Sequence, residues 1–475
     1  MVAGLLVHAI SRQERDVIIS SIFSNDSGHS AGNNWQRLLA AMCLLLISLF
    51  ASIAPAQANL IRDTELESLL EKMIAPLEAV AGYTPGTIKI RIILDDQINA
   101  FVRNEQMIYV HSGLLVEGEG PLQFLGVMAH EIAHIKAGHV QRIEEDVNQA
   151  NTVAALAGLA AAAAAAGGHG EAATGLLLGG TDRANRNLLS SVRRNESAAD
   201  EIGLNLLDDA GISATGLRDM MARLSRQRAL PSSRQSEYYR THPGAAQRLQ
   251  TYQDHVNNSP HSDTPVAAES NRDFARAWAK IYAWTERPQT VLANKDTNLD
   301  PDLLTYAHAI AGFRRGDLKR AFAQINALTD AHPDDPFFHE FRGDILMSMA
   351  NPRQAAEAYE AAIALRPESP QILLLLGRAL IAANDKSLLP RAIEVLSHAR
   401  DLEPDWSILH RQLGIAYGKA GQIGFADISL AEEAILTGDT VRAVQLAKRT
   451  IDRNDIPDTI RNRANDIIFR YDNRN

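Results

Sequence analysis

Two pairs of ionisable residues, each pair four positions apart, constrain this 475-residue chain more than any other feature. His130 and His134 form one pair, within His130-Glu131-Ile132-Ala133-His134. Glu196 and Asp200 form the other. Residues i and i+4 share one face of a helix, so each pair sets two polar groups side by side. The flanks predict helices. After Pro121, Leu122, Leu125, Met128, Ala129, Ile132 and Ile135 recur near helical spacing. Ile202, Leu204, Leu206 and Leu207 follow the acidic pair, and Gly211 offers a C-terminal stop.

These residue types match a hydrolytic zinc site. His130 and His134 can point two imidazoles at one Zn2+, with Glu196 as third ligand and the fourth position left for water. Zinc brings the pKa of such a water toward neutrality. Glu131 sits one step round from His130, placed to take the proton and later pass one to the leaving amine. Asp200 can accept the free N–H of a ligated imidazole and hold the ring. His139 does not extend the set. A metzincin's third histidine falls six residues after the second, with a glycine three before it. His139 falls five after His134 and adjoins Gly138, so it is expected to pack or hydrogen-bond near the helix end. His242, in Thr241-His242-Pro243-Gly244, precedes proline and is therefore extended. An imidazole there can return to the metal, to the substrate, or to neither.

Four stretches in combination resemble the zinc peptidase family that includes CAAX prenyl proteases and HtpX-type membrane proteases, in its soluble periplasmic branch. They are INAFVRNEQMIYVHSGLL (Asn99, Ala100, Phe101, Tyr109, Val110, Gly113), HEIAHIKAGH, ESAADEIG and THPGAAQRL. With the repeats described below, the resemblance covers about residues 60–475. It implies one Zn2+ per chain, ligands His130, His134 and Glu196, and a catalytic Glu131. It also implies that His242 is a fourth, inhibitory ligand that must leave for activity, and that Arg248 lies near the active site. An edge strand beside the zinc helix, read here as Gln106–Leu115, would hold substrate as an added strand. The implied substrates are unfolded or misassembled outer-membrane β-barrel proteins. The implied partner is the outer-membrane β-barrel assembly machinery. The rival reading is a chaperone-like assembly scaffold with a latent, self-inhibited zinc site.

A net charge of −10 argues against a nucleic-acid partner. The single cysteine, Cys43, lies in RLLAAMCLLLISLFASIAPAQA. Arg37, the apolar run Leu38–Ile53 and Ala56-Gln57-Ala58 read as a secretory signal peptide cut before Asn59, rather than an uncleaved membrane anchor. Met42 before the cysteine argues against a lipid anchor, and residues 1–36 are long for the segment preceding such a run. The chain from Asn59 onward has no cysteine, which suits an oxidising compartment such as a bacterial periplasm.

The expected organisation is a signal segment (1–58), a zinc metallopeptidase domain (59–253), a linker and connecting helix (254–300) and a repeat domain (301–475). An amphipathic helix is predicted over 62–82 and a strand over 86–96. The Ala/Leu/Gly-rich stretch 151–180 has three readings: helices packed near the active site, a mobile lid, or a hairpin in peripheral contact with a membrane. From Pro301 onward the period is near 34, with Pro333, Pro367 and Pro404 spaced 34 and 37 apart. Gly343, Ala355, Tyr359 and Ala362 fall at tetratricopeptide (TPR) positions, as do Gly377, Ala392 and Ala399, and then Gly414, Tyr417 and Ala426. The predicted fold class is mainly α: an α+β zincin-type, gluzincin-like metallopeptidase domain followed by an α-solenoid of TPR helix pairs.

Overall fold

Four short strands form the single sheet among the described residues. The computed structural model describes residues 60–472 apart from 105, 167–168, 230, 232–234 and 296–298; the expected signal peptide lies outside them. Strand β1 (Leu60–Ile61) leads into α1 (Thr64–Ala81). Strands β2 (Lys89–Ile93), β3 (Ala100–Asn104) and β4 (Met107–His111) follow. Helix α1 starts where the Asp63 carboxylate accepts the Leu66 N–H at 2.9 Å, and stops at Gly82, whose φ of 91° is left-handed. Its apolar stripe (Leu66, Leu70, Met73, Ile74, Leu77) is buried on the sheet. The sheet order is β1-β2-β4-β3, with β2 and β4 parallel and the other neighbours antiparallel. This corrects the expected edge strand. β4 is interior, because β2 occupies one side and the hairpin partner β3 the other; β1 and β3 are the edge strands.

Next come α2 (Ser112–Val116) and α3 (Pro121–Lys136). Helices α4 (His139–Ala166) and α5 (Gly170–Asp209) form an antiparallel hairpin over the Ala/Leu/Gly-rich stretch. At about 1.5 Å per residue, the 40 residues of α5 run about 60 Å. Among the described residues no helix is long and apolar enough to cross a membrane. Helices α6 (Thr215–Ser225), α7 (Glu237–Thr241) and α8 (Ala245–Asn258) complete this half. Position 254, the expected start of the linker, lies inside α8. The connecting helix α9 (Ala268–Thr285) is part of the core: Phe274, Ala277 and Ile281 are buried with the α1 and α3 side chains, and the Phe274 and Phe124 rings lie 6.3 Å apart. Its Ala283, with Val291 of α10 (Pro288–Ala293), belongs to the core of the first repeat.

Five helix pairs follow: α11 (Pro301–Arg314) with α12 (Leu318–Ala331), α13 (Pro336–Ser348) with α14 (Pro352–Leu365), α15 (Pro370–Ala382) with α16 (Leu389–Leu402), α17 (Ser407–Lys419) with α18 (Ile423–Leu436), and α19 (Thr440–Ile451) with α20 (Asp458–Tyr471). The repeat glycines make the pairs close. A Cβ on Gly343 would meet the Tyr359 ring at 2.5 Å, one on Gly377 would meet Leu396 at 2.5 Å, and one on Gly414 would meet Leu430 at 2.7 Å. Each first helix of these pairs thus lacks a side chain where its partner inserts one.

The beginning of α1 fastens the sheet-bearing half to the repeats. Arg62 makes two hydrogen bonds to Glu403, at 2.8 and 3.0 Å, and lies over the Trp406 ring. Lys280 of α9 pairs with Asp63 at 2.7 Å and with the fully buried Glu65 at 2.8 Å. Tyr306 donates to Glu65 at 2.7 Å, and Arg276 joins Glu65 to Asp335. Burial alone would raise the Glu65 carboxyl, yet Arg276 and Lys280 hold it down to about 2. A depressed carboxyl stabilises fully above its unfolded value of about 4.5. That contribution should therefore drain away as pH falls from about 4.5 toward 2, visible as a falling urea midpoint. Lys280→Met leaves Glu65 with reduced compensation and should cost about 3 kcal/mol or more; an unchanged urea midpoint would remove this cluster as a determinant of stability.

Candidate metal centre

Helix α3 is buried along nearly its whole length, and His130, Glu131 and His134 are among its buried residues. Glu196 and Asp200 lie on the face of α5 that meets it. The close approach has a local cause. Gly203 stands three residues beyond Asp200, and a Cβ there would sit 3.3 Å from the backbone of Ala129 and His130. Without a side chain at 203, α5 can lie against the histidine turn.

Four donors converge. One ligand atom each from His130, His134, Glu196 and His242 lies within 4.8 Å of the others. His130 Nε2 is 3.1 Å from His134 Nε2, 3.4 Å from Glu196 Oε2 and 3.4 Å from His242 Nδ1. His134 Nε2 is 3.4 Å from Glu196 Oε1, and His242 Nδ1 is 3.1 Å from Glu196 Oε2. A tetrahedral ion with bonds of roughly 2.0–2.1 Å has ligand–ligand edges of about 3.3 Å, so these residues fit a metal. The Oε1 atom of Glu131 is buried with no hydrogen-bond partner and lies 3.6 Å from His242 Nε2.

The outward nitrogens are held as well. His130 Nδ1 is 3.1 Å from Asp200 Oδ1, and His134 Nδ1 is 3.0 Å from His139 Nδ1. His139 begins α4 and is buried against the site, outside the ligand set. Arg248 of α8 is buried and reaches both acids. It donates from Nε to Asp200 Oδ2, from Nη2 to Asp200 Oδ1 and from Nη1 to Glu196 Oε2, each at 2.7 Å. Tyr252, one turn on, donates to Asp200. His242 follows α7 as its C-cap; its ring stacks on Tyr238 with centroids 4.3 Å apart, and Gly244 beyond Pro243 has a φ of 94°.

Electrostatics follow from this packing. Burial pushes the Glu131 carboxyl up, against the opposing pull of His242 and His130. Burial would raise Asp200 too, yet the His130 hydrogen bond and the Arg248 charge bring it to about 2. Glu196 is also depressed despite burial, by His242 and His130. Burial and the neighbouring His130 push His134 well down. Burial opposes charge on His130, but hydrogen bonds to Asp200 and Glu196 raise it to about 9.

Residues 60–256 match Peptidase family M48, and residues 346–413 match the tetratricopeptide repeat. Residues 60–256 are an M48 peptidase domain. The M48 region contains all seven residues singled out above, from His130 to Arg248, and ends two residues short of the end of α8. The chain is 25% identical over 332 residues to the Beta-barrel assembly-enhancing protease of Escherichia coli (strain K12), a match covering 68% of this chain and 66% of that protein. The chain therefore spans just under two thirds of that relative's length. The protein of the same name from Yersinia pestis is 23% identical over 403 residues, covering 82% of this chain and 80% of the relative. Metalloprotease LoiP of Escherichia coli (strain K12) is 29% identical over 169 residues, covering 36% and 63%.

Sequence reasoning passed over Gly203, Tyr238 and Tyr252. Gly203 and Tyr252 carried a signal: one stands three residues after Asp200 and the other four after Arg248, each on a face already marked as functional. Tyr238 precedes His242 by four and had no such mark. Gly203→Val should force α3 and α5 apart, lowering metal affinity at least tenfold in chelator competition and stability by about 1–3 kcal/mol. Wild-type metal affinity in this variant would show that the close approach is not needed.

Proposed function

We propose that the chain is a periplasmic zinc-dependent endopeptidase, held closed by His242, that acts in quality control and assembly of outer-membrane β-barrel proteins. The observation that carries this reading is the four-donor cluster with the buried Glu131 carboxylate beside it. Unfolded or misassembled barrel proteins are the substrates, and the TPR repeats dock substrate or the barrel assembly machinery. The names of the relatives support this choice of substrate.

A zinc ion held by His130, His134 and Glu196 would supply Lewis acidity to a peptide carbonyl and to the attacking water. Glu131 takes the proton from that water and returns one to the leaving amine. Asp200 fixes the His130 ring through Nδ1, and Arg248 holds Glu196 and Asp200 in register through charged hydrogen bonds. The free edge of β3 accepts an extended segment as an added strand. His242 fills the fourth corner, so the His242-Pro243-Gly244 corner must swing out before substrate enters.

The same closure favours a second reading, an assembly scaffold whose metal site stays silent. Two variants separate them. Glu131→Gln should keep its zinc and lose about 10²–10⁴-fold in cleavage of an unfolded barrel protein; undiminished cleavage refutes the mechanism. His242→Ala should bind zinc and cleave faster than wild type. If neither wild type nor His242→Ala cleaves while both hold zinc, the scaffold reading replaces the enzyme.

A further inference from the structure

The hairpin of α4 and α5 is built inside out for a water-soluble pair. Its seam consists of small residues: Ala161, Ala173 and Ala184 are buried, and a Cβ on Gly180 would lie 2.2 Å from the Ala157 Cβ. The large side chains face away. Leu156, Leu159, Leu176, Leu177 and Leu178 are between 44% and 69% exposed. In water, amphipathic helices put leucines in the seam and polar groups outside. Small residues within and leucines without is the packing of helices surrounded by hydrocarbon, where close backbone approach supplies the association.

The charge pattern agrees. Between residues 147 and 181 the sole Asp, Glu, Lys or Arg is Glu171, exposed in the first turn of α5. Immediately below, α5 carries Arg183 and Arg186 with one acid, Asp182, which Arg186 engages; farther down, Arg193 and Arg194 lie level with the acids Glu145 and Asp146 of α4, where Ser191 donates to Asp146. Leu176, Leu177 and Leu178 are consecutive, so they point about 100° apart around the helix. The exposed leucines therefore lie on more than one side of α5. A protein partner covers one face, whereas acyl chains surround what they solvate.

We propose that the α4–α5 tip dips into a phospholipid leaflet, with Arg183 and Arg186 against anionic headgroups. From Asn151 to Ala166, α4 extends about 24 Å, short of the roughly 30 Å hydrocarbon core. The hairpin enters and leaves on one side, so neither helix needs to cross, in keeping with the absence of a membrane-spanning helix among the described residues. The inference uses no metal chemistry, so it stands or falls apart from the peptidase reading.

The test puts an environment-sensitive fluorophore on the full chain at Leu159→Cys, in a Cys43→Ser background that leaves no other thiol. Vesicles of phosphatidylethanolamine and phosphatidylglycerol should shift the emission to the blue and raise it, and brominated acyl chains should quench it. A Leu156→Gln, Leu159→Gln, Leu177→Gln and Leu178→Gln variant, keeping the apolar 38–53 run in common with wild type, should float with vesicles at least about tenfold more weakly. Its zinc content and its cleavage of a soluble unfolded protein should match wild type. Three results overturn the proposal: an unshifted probe with undiminished flotation; a shift that follows protein concentration without vesicles, marking a second copy as the occupant; or a shift produced only by unfolded polypeptide, marking the substrate.

Discussion

Arg248 places a buried guanidinium between two buried carboxylates, Glu196 and Asp200, and the arrangement of the site depends on that charge. Acids four apart on one helix repel each other, and an unpaired buried ion costs several kcal/mol. With Arg248 bridging them, both acids stay ionised under the two histidines of α3. Glu196 is then free to turn its oxygens to His130, His134 and His242, while Asp200 is committed to His130 Nδ1. The same guanidinium also contacts the His242 carbonyl at 3.3 Å. The group that organises the two acids thus also touches the backbone of His242, the fourth member of the cluster.

Much of this was legible because the informative contacts are local. His130 with His134, and Glu196 with Asp200, are spaced so that one helical turn aligns them. The TPR pairs were legible through Gly343, Gly377 and Gly414, whose spacing follows from one helix accepting a side chain of the next. The TPR match, over residues 346–413, includes Gly343's partner Tyr359 and Gly377. What the sequence did not disclose depends on distant partners. Arg62, Asp63, Glu65 and Glu67 look like the polar face of an amphipathic helix, yet Glu65 is fully buried against Lys280 and Tyr306. No local pattern announces a partner more than 200 residues away. The interior place of β4 was hidden for a similar reason: two strands of similar composition differ only in which neighbour each finds.

The fastening at α1 also changes how the two halves relate. Its contacts fall at the junctions between successive repeats: on Ser369 and Gln371 where α15 starts, on Glu403 where α16 ends, and through Arg276 of α9 on Asp335 where α13 starts. With α9 sharing the peptidase core on one side and the first repeat's core on the other, the join is a packed interface of oriented charges. A docked ligand on the repeats is thereby held at a set position relative to the metal centre, while the arginines and carboxylates along the join lock the register.

Helix α5 is unbroken from Gly170 to Asp209, so its leucines and its acids belong to one rigid rod. From Leu178 to Glu196 is about 27 Å along the axis. With the tip seated in lipid, that rod is a ruler. It holds the four-donor cluster of His130, His134, Glu196 and His242 at a constant height above the leaflet. What reaches that cluster would then be selected by altitude alone, without any reading of its sequence.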